Sequence, residues 1–463
     1  MSFRISEIDI PLSDPFKNDA LDRPAMVEFM ANVIKKAGGK PLVIAVDAPY
    51  GSGKSTFIGM LNAVLINGNY QTVNFNAWKA DHVSDPLVAM VAALDEALPK
   101  AEDKTGKLKA GLDKVRNITG KVARRVLVAG VKVGTAGVLD IEDGLEEIIR
   151  DAAGDAVSDI VEKFQNETKL NISFRSELEN AVSQLALAQK NSTLVFFIDE
   201  LDRCRPDFAI SLLERVKHMF DVPNIAFILS VDKRQLEAAT AAVYGERINA
   251  AEYLRKFIDL EFGLPLPHNK KFVEMAVARS GLSELFSLHS QDGGGYQCGQ
   301  FTRFLTLLSR ILQLTLRTQE RCITRMKLVL DQTPIGQSSN PIHVALLVVL
   351  RTVDQDFFYK TVKGILSPVE VLNFFSAKPE GEIALNSTEG RILHAILVTE
   401  DRNDERRKEF KKKLIDVMNE NSSTREDANN ASEMLNLLDS FGMNGKVFPI
   451  IARKIDIAAQ IRN

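Results

Sequence analysis

The chain has 463 residues, 45% of them hydrophobic and 26% charged, which is the balance of a folded protein with room for about three domain-sized units. A formal net charge of −3 excludes a global electrostatic pull towards nucleic acid or anionic membrane, so any such contact must be local. The cysteines Cys204, Cys298 and Cys322 are scattered without CxxC spacing; that argues against a disulfide framework or a zinc site and suits a reducing compartment.

The first residues, MSFRISEIDIPLSDPF, carry acids and prolines where a secretion signal needs a basic start and an apolar core. No segment reaches the ~18 charge-free apolar residues of a membrane span. A cytoplasmic location is therefore expected. After KNDALDR at 17–23, Met26, Phe29, Met30, Val33 and Ile34 recur at helical spacing until Gly38-Gly39 stops the pattern. From spacing alone, Asp22 and Arg23 read as a helix cap and a surface ion pair.

An apolar, β-branched run at 42–46 predicts a buried strand. It breaks at Asp47 and resumes as a helix with Phe57, Ile58, Met60, Leu61, Val64 and Leu65 on an apolar face, stopped by Gly68. Between them lie Ala48, Pro49, Tyr50, Gly51, Ser52, Gly53, Lys54, Ser55 and Thr56. Strand, glycine loop and helix in that order form the context of a phosphate-binding loop. Gly51 and Gly53 let backbone N–H groups turn inward, and the following helix offers its positive end to the same anion. Lys54 is placed to reach the β- and γ-phosphates, and the Ser55 hydroxyl to ligate Mg²⁺. Ala48 takes the first motif position, where glycine is usual and a small residue suffices.

Residues 71–76 (QTVNFN) predict a second strand ending in Asn76-Ala77-Trp78, at the edge of a parallel sheet where ligands gather. Trp78, the only tryptophan, is expected as a packing residue. Asp85-Pro86 opens a helix over 87–98. Residues 99–189 read as an insertion. Lys104, Lys107, Lys109, Lys114, Arg116, Lys121, Arg124 and Arg125 make its first part basic; an apolar run at 126–139 and an acidic run from Asp140 to Asp151 follow. The leading expectation is a helical hairpin whose arms pair; the alternative is contact of 104–139 with a membrane surface or nucleic acid.

Residues 193–198 (TLVFFI) predict a buried strand ending in Asp199-Glu200-Leu201-Asp202-Arg203. Acids at the end of such a strand are costly without a cation or donors. In a phosphate-loop protein Asp199 would hold Mg²⁺, and Glu200 would orient or deprotonate the attacking water, with Asp202 its competitor. Residues 206–220 predict a helix, and 224–232 (NIAFILSVD) a strand ending in Ser230 and Asp232, where a side chain could sense the γ-phosphate. Residues 257–262 (FIDLEF) suggest a fifth strand. From His268 on, apolar-periodic helices dominate, at 272–278, 301–316, 323–330, 344–350, 369–375, 392–397, 435–441 and 447–457. Arg317, Arg321 and Arg325 form one basic stripe, read as a solvated face or as a guanidinium offered to the nucleotide.

Together these motifs resemble the KAP P-loop ATPases, near the AAA+ and STAND groups. The resemblance rests on Asp19 to Arg23, the loop Tyr50 to Ser55, Phe75-Asn76-Ala77-Trp78, Asp85-Pro86, and Ile198 to Cys204 with Pro206. Leu212-Leu213-Glu214, Val231-Asp232 and Tyr253-Leu254 with Lys256-Phe257-Ile258 continue it, and Leu316-Arg317 is a weaker match. Tyr50 stands where that family usually has tryptophan, and Glu200 where it more often has aspartate. The resemblance covers about residues 10–330. It implies an α/β fold, a parallel sheet of order 5-1-4-3-2 with ATP at its carboxyl edge, and a helical lid. The core would be 10–98 and 190–265, the insert 99–189, and the lid and a C-terminal all-α domain 266–463. It also brings Asp22, Arg23 and Asp232 into the nucleotide-binding set.

Two functions follow as expectations. One is a Mg²⁺-dependent ATPase coupled to conformational change, self-association or an operon-encoded effector, in the manner of bacterial phage-exclusion relatives. Arg203, Arg255 and Arg317 are candidates for an arginine supplied to the reaction. The other is a nucleotide-gated scaffold, peripheral to a membrane, with little hydrolysis.

Overall fold

The computed structural model describes residues 8–97, 110, 113–119, 168–183, 191, 193–219, 221–265, 270–289, 294–335, 337–419, 424–442 and 445–460. The contact surface expected at 104–139 lies outside these residues except for 110 and 113–119, and the acidic run at 140–151 lies wholly outside. The chain divides into two compact units, one of Ile8–Pro265 and one holding Leu266–Asn463.

The first unit is built on five strands: β1 (Leu42–Asp47), β2 (Gln71–Asn76), β3 (Leu194–Asp199), β4 (Ile225–Val231) and β5 (Leu260–Gly263). They run in the order β2-β3-β4-β1-β5, every pair parallel, which is the order expected. Successive strand residues face opposite sides. Phe196, Ile198, Phe227 and Leu229 enter one core layer, whereas Val195, Phe197, Ala226 and Ile228 enter the other. A strand buried on both faces has no polar side to alternate, which is why these runs read as continuously apolar.

The second of those layers is closed by α1 (Pro24–Lys36) and α2 (Lys54–Asn67), through Val27, Met30, Ile34, Phe57, Met60, Leu61 and Leu65. The first is closed by α4 (Pro86–Ala97), which follows the short α3 (Ala77–Ala80), and by α5 (Pro206–Met219) and α6 (Lys233–Tyr244). Two helical stretches of the insertion, 113–119 and 168–183, join the same layer: Val115, Phe174, Leu178, Ala181 and Val182 are all nearly fully buried. The larger of these, Val115, Phe174, Leu178 and Val182, each contribute about 1.5–3 kcal/mol at full burial, so these parts of the insertion belong to the core. Glu214 on α5 accepts from the hydroxyls of Tyr244 at 2.8 Å and Tyr253 at 3.3 Å, tying α5 and α6 to α7 (Ala250–Leu254).

The fifth strand starts later than the sequence suggests. Phe257 donates to Leu254 O in the turn after α7, and pairing begins where Asp259 N meets Val43 O at 2.9 Å. In the second unit the helix expected over 301–316 is two, Gly295–Ile311 and Leu316–Asp331. Gln313 takes a left-handed φ of 50°, and Thr315 caps the new helix through Thr318 N. Helix Pro341–Val353 is buried without interruption from Pro341 to Leu350, the mark of a helix surrounded by others. Among the described residues no helix is long and apolar enough to cross a membrane.

Candidate functional site

The parallel register sets polar strand ends side by side: Asn76 pairs with Asp199, Asp199 with Ser230, and Asp47 with Val231. This row forms the carboxyl edge of the sheet, where the chain after β1 turns back into α2. Gly51 has φ 75° and Gly53 φ 88°, conformations that cost an L side chain about 1 kcal/mol or more. Gly53 is the residue before α2 and no side chain caps that helix, so its first N–H groups remain to serve an anion.

Lys54 is 9% exposed, and its ammonium donates to Ala48 O across the loop. Burial lowers its pKa, while Asp202, Asp232, Asp199 and Asp47 oppose that shift. Asp202 is the nearest of them to form an ion pair, 4.0 Å from Nζ, with a side chain only 2% exposed. Burial raises the Asp202 pKa against the pull of Lys54. Its Oδ2 accepts Asp232 N at 2.8 Å, and Tyr50 donates its hydroxyl to Asp202 O at 2.9 Å. Asp202 therefore faces inward, bracing the lysine and the β4–α6 turn, and is not presented to a water. The Tyr50 hydroxyl is pushed up to about 12, by burial first and by Asp202 second.

Ser55 Oγ donates to Asp199 Oδ2 at 2.9 Å, and Asp199 Oδ1 accepts Glu200 N at 2.9 Å. Glu200 sits at φ 61°, a left-handed position for a non-glycine residue. It opens the 3₁₀ turn Leu201–Arg203. Its Oε2 accepts from Asn76 Nδ2 at 2.8 Å, and its Oε1 meets Arg203 Nη1 at 2.5 Å. The Arg203 guanidinium lies 5.4 Å from the Tyr50 ring centre and 5.6 Å from that of Trp78.

Two bland readings of single residues do not hold. Trp78 is 51% exposed, stacked on a cation at the site's rim and not packed in the core. Arg23 is 2% exposed; its Nη2 donates at 3.4 Å to both Ser52 O in the loop and Pro265 O beyond β5. Burial lowers its pKa, with Asp19 opposing. No side chain caps α1; Asp19 orders the turn before it by accepting Leu21 N and Arg23 N, while Asp22 is exposed at φ 56°. Arg255 pairs at the surface with Glu252. Arg317 is exposed on its helix in the second unit. Asn76 is the functional contact that spacing alone left unassigned; its place at the end of β2, in register with Asp199, is the signal that marks it.

The phosphates of a nucleotide, with a divalent cation, fit this edge. Ser55 Oγ and Asp199 Oδ2 form a hard oxygen pair of the kind Mg²⁺ takes alongside phosphate oxygens and water. Among the described residues Ser52 Oγ and Ser230 Oγ are buried with no hydrogen-bond partner, so the loop and the β4 end each hold a polar group still to be satisfied.

No curated protein matches the sequence. A solved structure of the Aeropyrum pernix ORC2 protein, described as ADPNP–ADP complexes, is similar at 14% identity over 98% of this chain and 97% of that chain, with a TM-score of 0.35. The KAP family P-loop domain matches residues 23–330, more than half of the chain and spanning both the loop and the Asp199–Arg203 turn. This chain belongs to the KAP family of P-loop nucleotide-binding proteins.

Proposed function

We propose that this protein is a Mg²⁺-dependent ATPase whose turnover drives a conformational change or assembly with a partner. The observation that carries the reading is the Ser55–Asp199 hydrogen bond, which joins the loop's helix to the end of β3. It is the pair that would hold Mg²⁺, and the ion would supply charge neutralisation to the phosphates there. Lys54 supplies a fixed positive charge to the same phosphates. The N–H groups of Gly51 to Ser55 cradle them, and Arg23 holds the loop's backbone in place through Ser52 O. Glu200, one residue beyond Asp199, positions the attacking water and accepts its proton. Thr56 and Asp232 complete the lining. By the resemblance to phage-exclusion ATPases, the partner is an effector encoded nearby, and the setting is bacterial anti-phage defence.

Phosphate release with MgATP tests this. Glu200→Gln retains ATP and loses turnover by about 10²-fold or more, and Lys54→Ala loses nucleotide binding. Equal release from wild type and Lys54→Ala, with partners present, overturns hydrolysis. A nucleotide-gated scaffold with slow hydrolysis is the second reading, favoured by one observation: both Glu200 oxygens already have partners.

A further inference from the structure

We infer that Arg203 is a positioning residue that holds Glu200 in a latched state: a guanidinium gripped by the Tyr50 and Trp78 rings neutralises the carboxylate that must engage water. The inference rests on the ATPase reading above. In a 3₁₀ turn, side chains three apart eclipse, so Asp199-Glu200-Leu201-Asp202-Arg203 returns the arginine onto the glutamate by local geometry. The turn closes with Arg203 N donating to Glu200 O at 3.2 Å. The 2.5 Å ion pair then takes Oε1 while Asn76 takes Oε2. Both carboxylate oxygens are thereby occupied where a water would have to dock.

The grip on the arginine is what makes this a latch and not a passing surface pair. Exposed ion pairs are worth little because both side chains are mobile. Here Arg203 is 27% and Glu200 18% exposed, and two aromatic faces hold the guanidinium. Tyr50 belongs to the phosphate loop and is anchored to Asp202 O, so that side of the grip is tied to the nucleotide. Trp78 belongs to α3, directly after β2, and is 51% exposed; it is the side that can let go. Because Arg203 is committed within its own chain, it does not serve as an arginine offered to a neighbouring active site.

Steady-state phosphate release and Trp78 fluorescence test this on the full chain, with wild type, Arg203→Gln, Arg203→Lys, Trp78→Phe, Glu200→Gln and the double variant Arg203→Gln/Glu200→Gln. Arg203→Gln is expected to raise kcat about tenfold at unchanged KM for ATP. Quenching of Trp78 by neutral acrylamide rises with it, because the guanidinium no longer covers the indole. Arg203→Lys, which restores the charge, and Trp78→Phe, which restores the ring, remain within about threefold of wild type. The double variant is silent. A kcat for Arg203→Gln at or below wild type overturns the latch, as does a gain that survives in the double variant. If Arg203→Gln fails to fold, a Trp78→Ala variant with unchanged kcat overturns it instead. Glu200→Gln turning over like wild type overturns hydrolysis itself; loss in Glu200→Gln without gain in Arg203→Gln overturns the latch alone.

Discussion

Burial pulls the Lys54 ammonium below the ordinary lysine range, and four surrounding aspartates pull it back, Asp202 foremost. The two groups support each other: Asp202, nearly fully buried, has this ammonium as its ion-pair partner at 4.0 Å. Removing one member of such a pair leaves the other's desolvation uncompensated. Lys54→Met should therefore lower the stability of the first unit by about 2 kcal/mol without nucleotide. Asp202→Asn added to it should restore more than half, because the neutral amide no longer needs a cation. Urea unfolding followed by Trp78 emission measures both; a double variant no more stable than Lys54→Met would show that the pair is not coupled. The sequence singled out both residues but offered Asp202 as a rival for water activation. What it could not show is direction: Glu200 and Asp202 are two residues apart, and only the left-handed φ of Glu200 turns one to the rim and the other inward.

Elements whose burial is continuous were legible, and elements held by other means were not. Strands β1 to β4 are apolar because both faces are covered, so their runs stand out. Helix Asp404–Asn419 passed unnoticed because only Arg407 of its residues is buried; it is supported by i,i+4 pairs, Asp404–Lys408 at 2.7 Å and Glu409–Lys413 at 2.9 Å. The break at Gln313 was hidden because the apolar spacing runs through it. Helix Pro341–Val353 also holds a histidine in its buried run. His343 Nε2 stands 4.0 Å from Glu400 Oε1, but the contact is no ion pair, since burial lowers His343 to about 4. Glu400 spends its Oε2 on Val447 N and Phe448 N, both at 2.9 Å, capping the helix Val447–Gln460. Between the ordinary histidine value near 6.5 and about 4, the unfolded chain binds a proton that the folded one refuses. Stability is thus fully present above 6.5 and lost as pH falls towards about 4, by roughly 3 kcal/mol at most. Burial raises Glu400, so that group works in the opposite sense. The difference between wild type and His343→Leu isolates the histidine. Urea midpoints followed at 222 nm from pH 7 to 4.5 should fall more steeply in wild type; parallel slopes would place His343 in contact with solvent.

At the scale of the whole molecule, the loop and the acids that complete the site lie 144 residues apart in sequence and adjacent in space. The 5-1-4-3-2 order makes this possible: with β1 beside β4 and β4 beside β3, the chain can leave the sheet after α4 and return as β3 without disturbing the edge. Segments of that excursion lie in the same core layer as α4 and α5, so the sheet's integrity and the site's geometry share one set of contacts. Nucleotide bound at this edge should then stabilise the unit Ile8–Pro265 as a whole. Trp78 is the chain's single tryptophan and lies in that unit, so its emission follows this unfolding event. At a hundredfold excess of MgATP over Kd the expected gain is about 2.7 kcal/mol, a rise in midpoint of roughly 5–10 °C. Lys54→Ala should show no rise, since the phosphates lose their fixed charge. Glu200→Gln should show the full rise, because it keeps the binding contacts and removes only the group that meets water. A Trp78 midpoint indifferent to MgATP in Glu200→Gln, where the ligand cannot be consumed, would mean that the edge does not bind it.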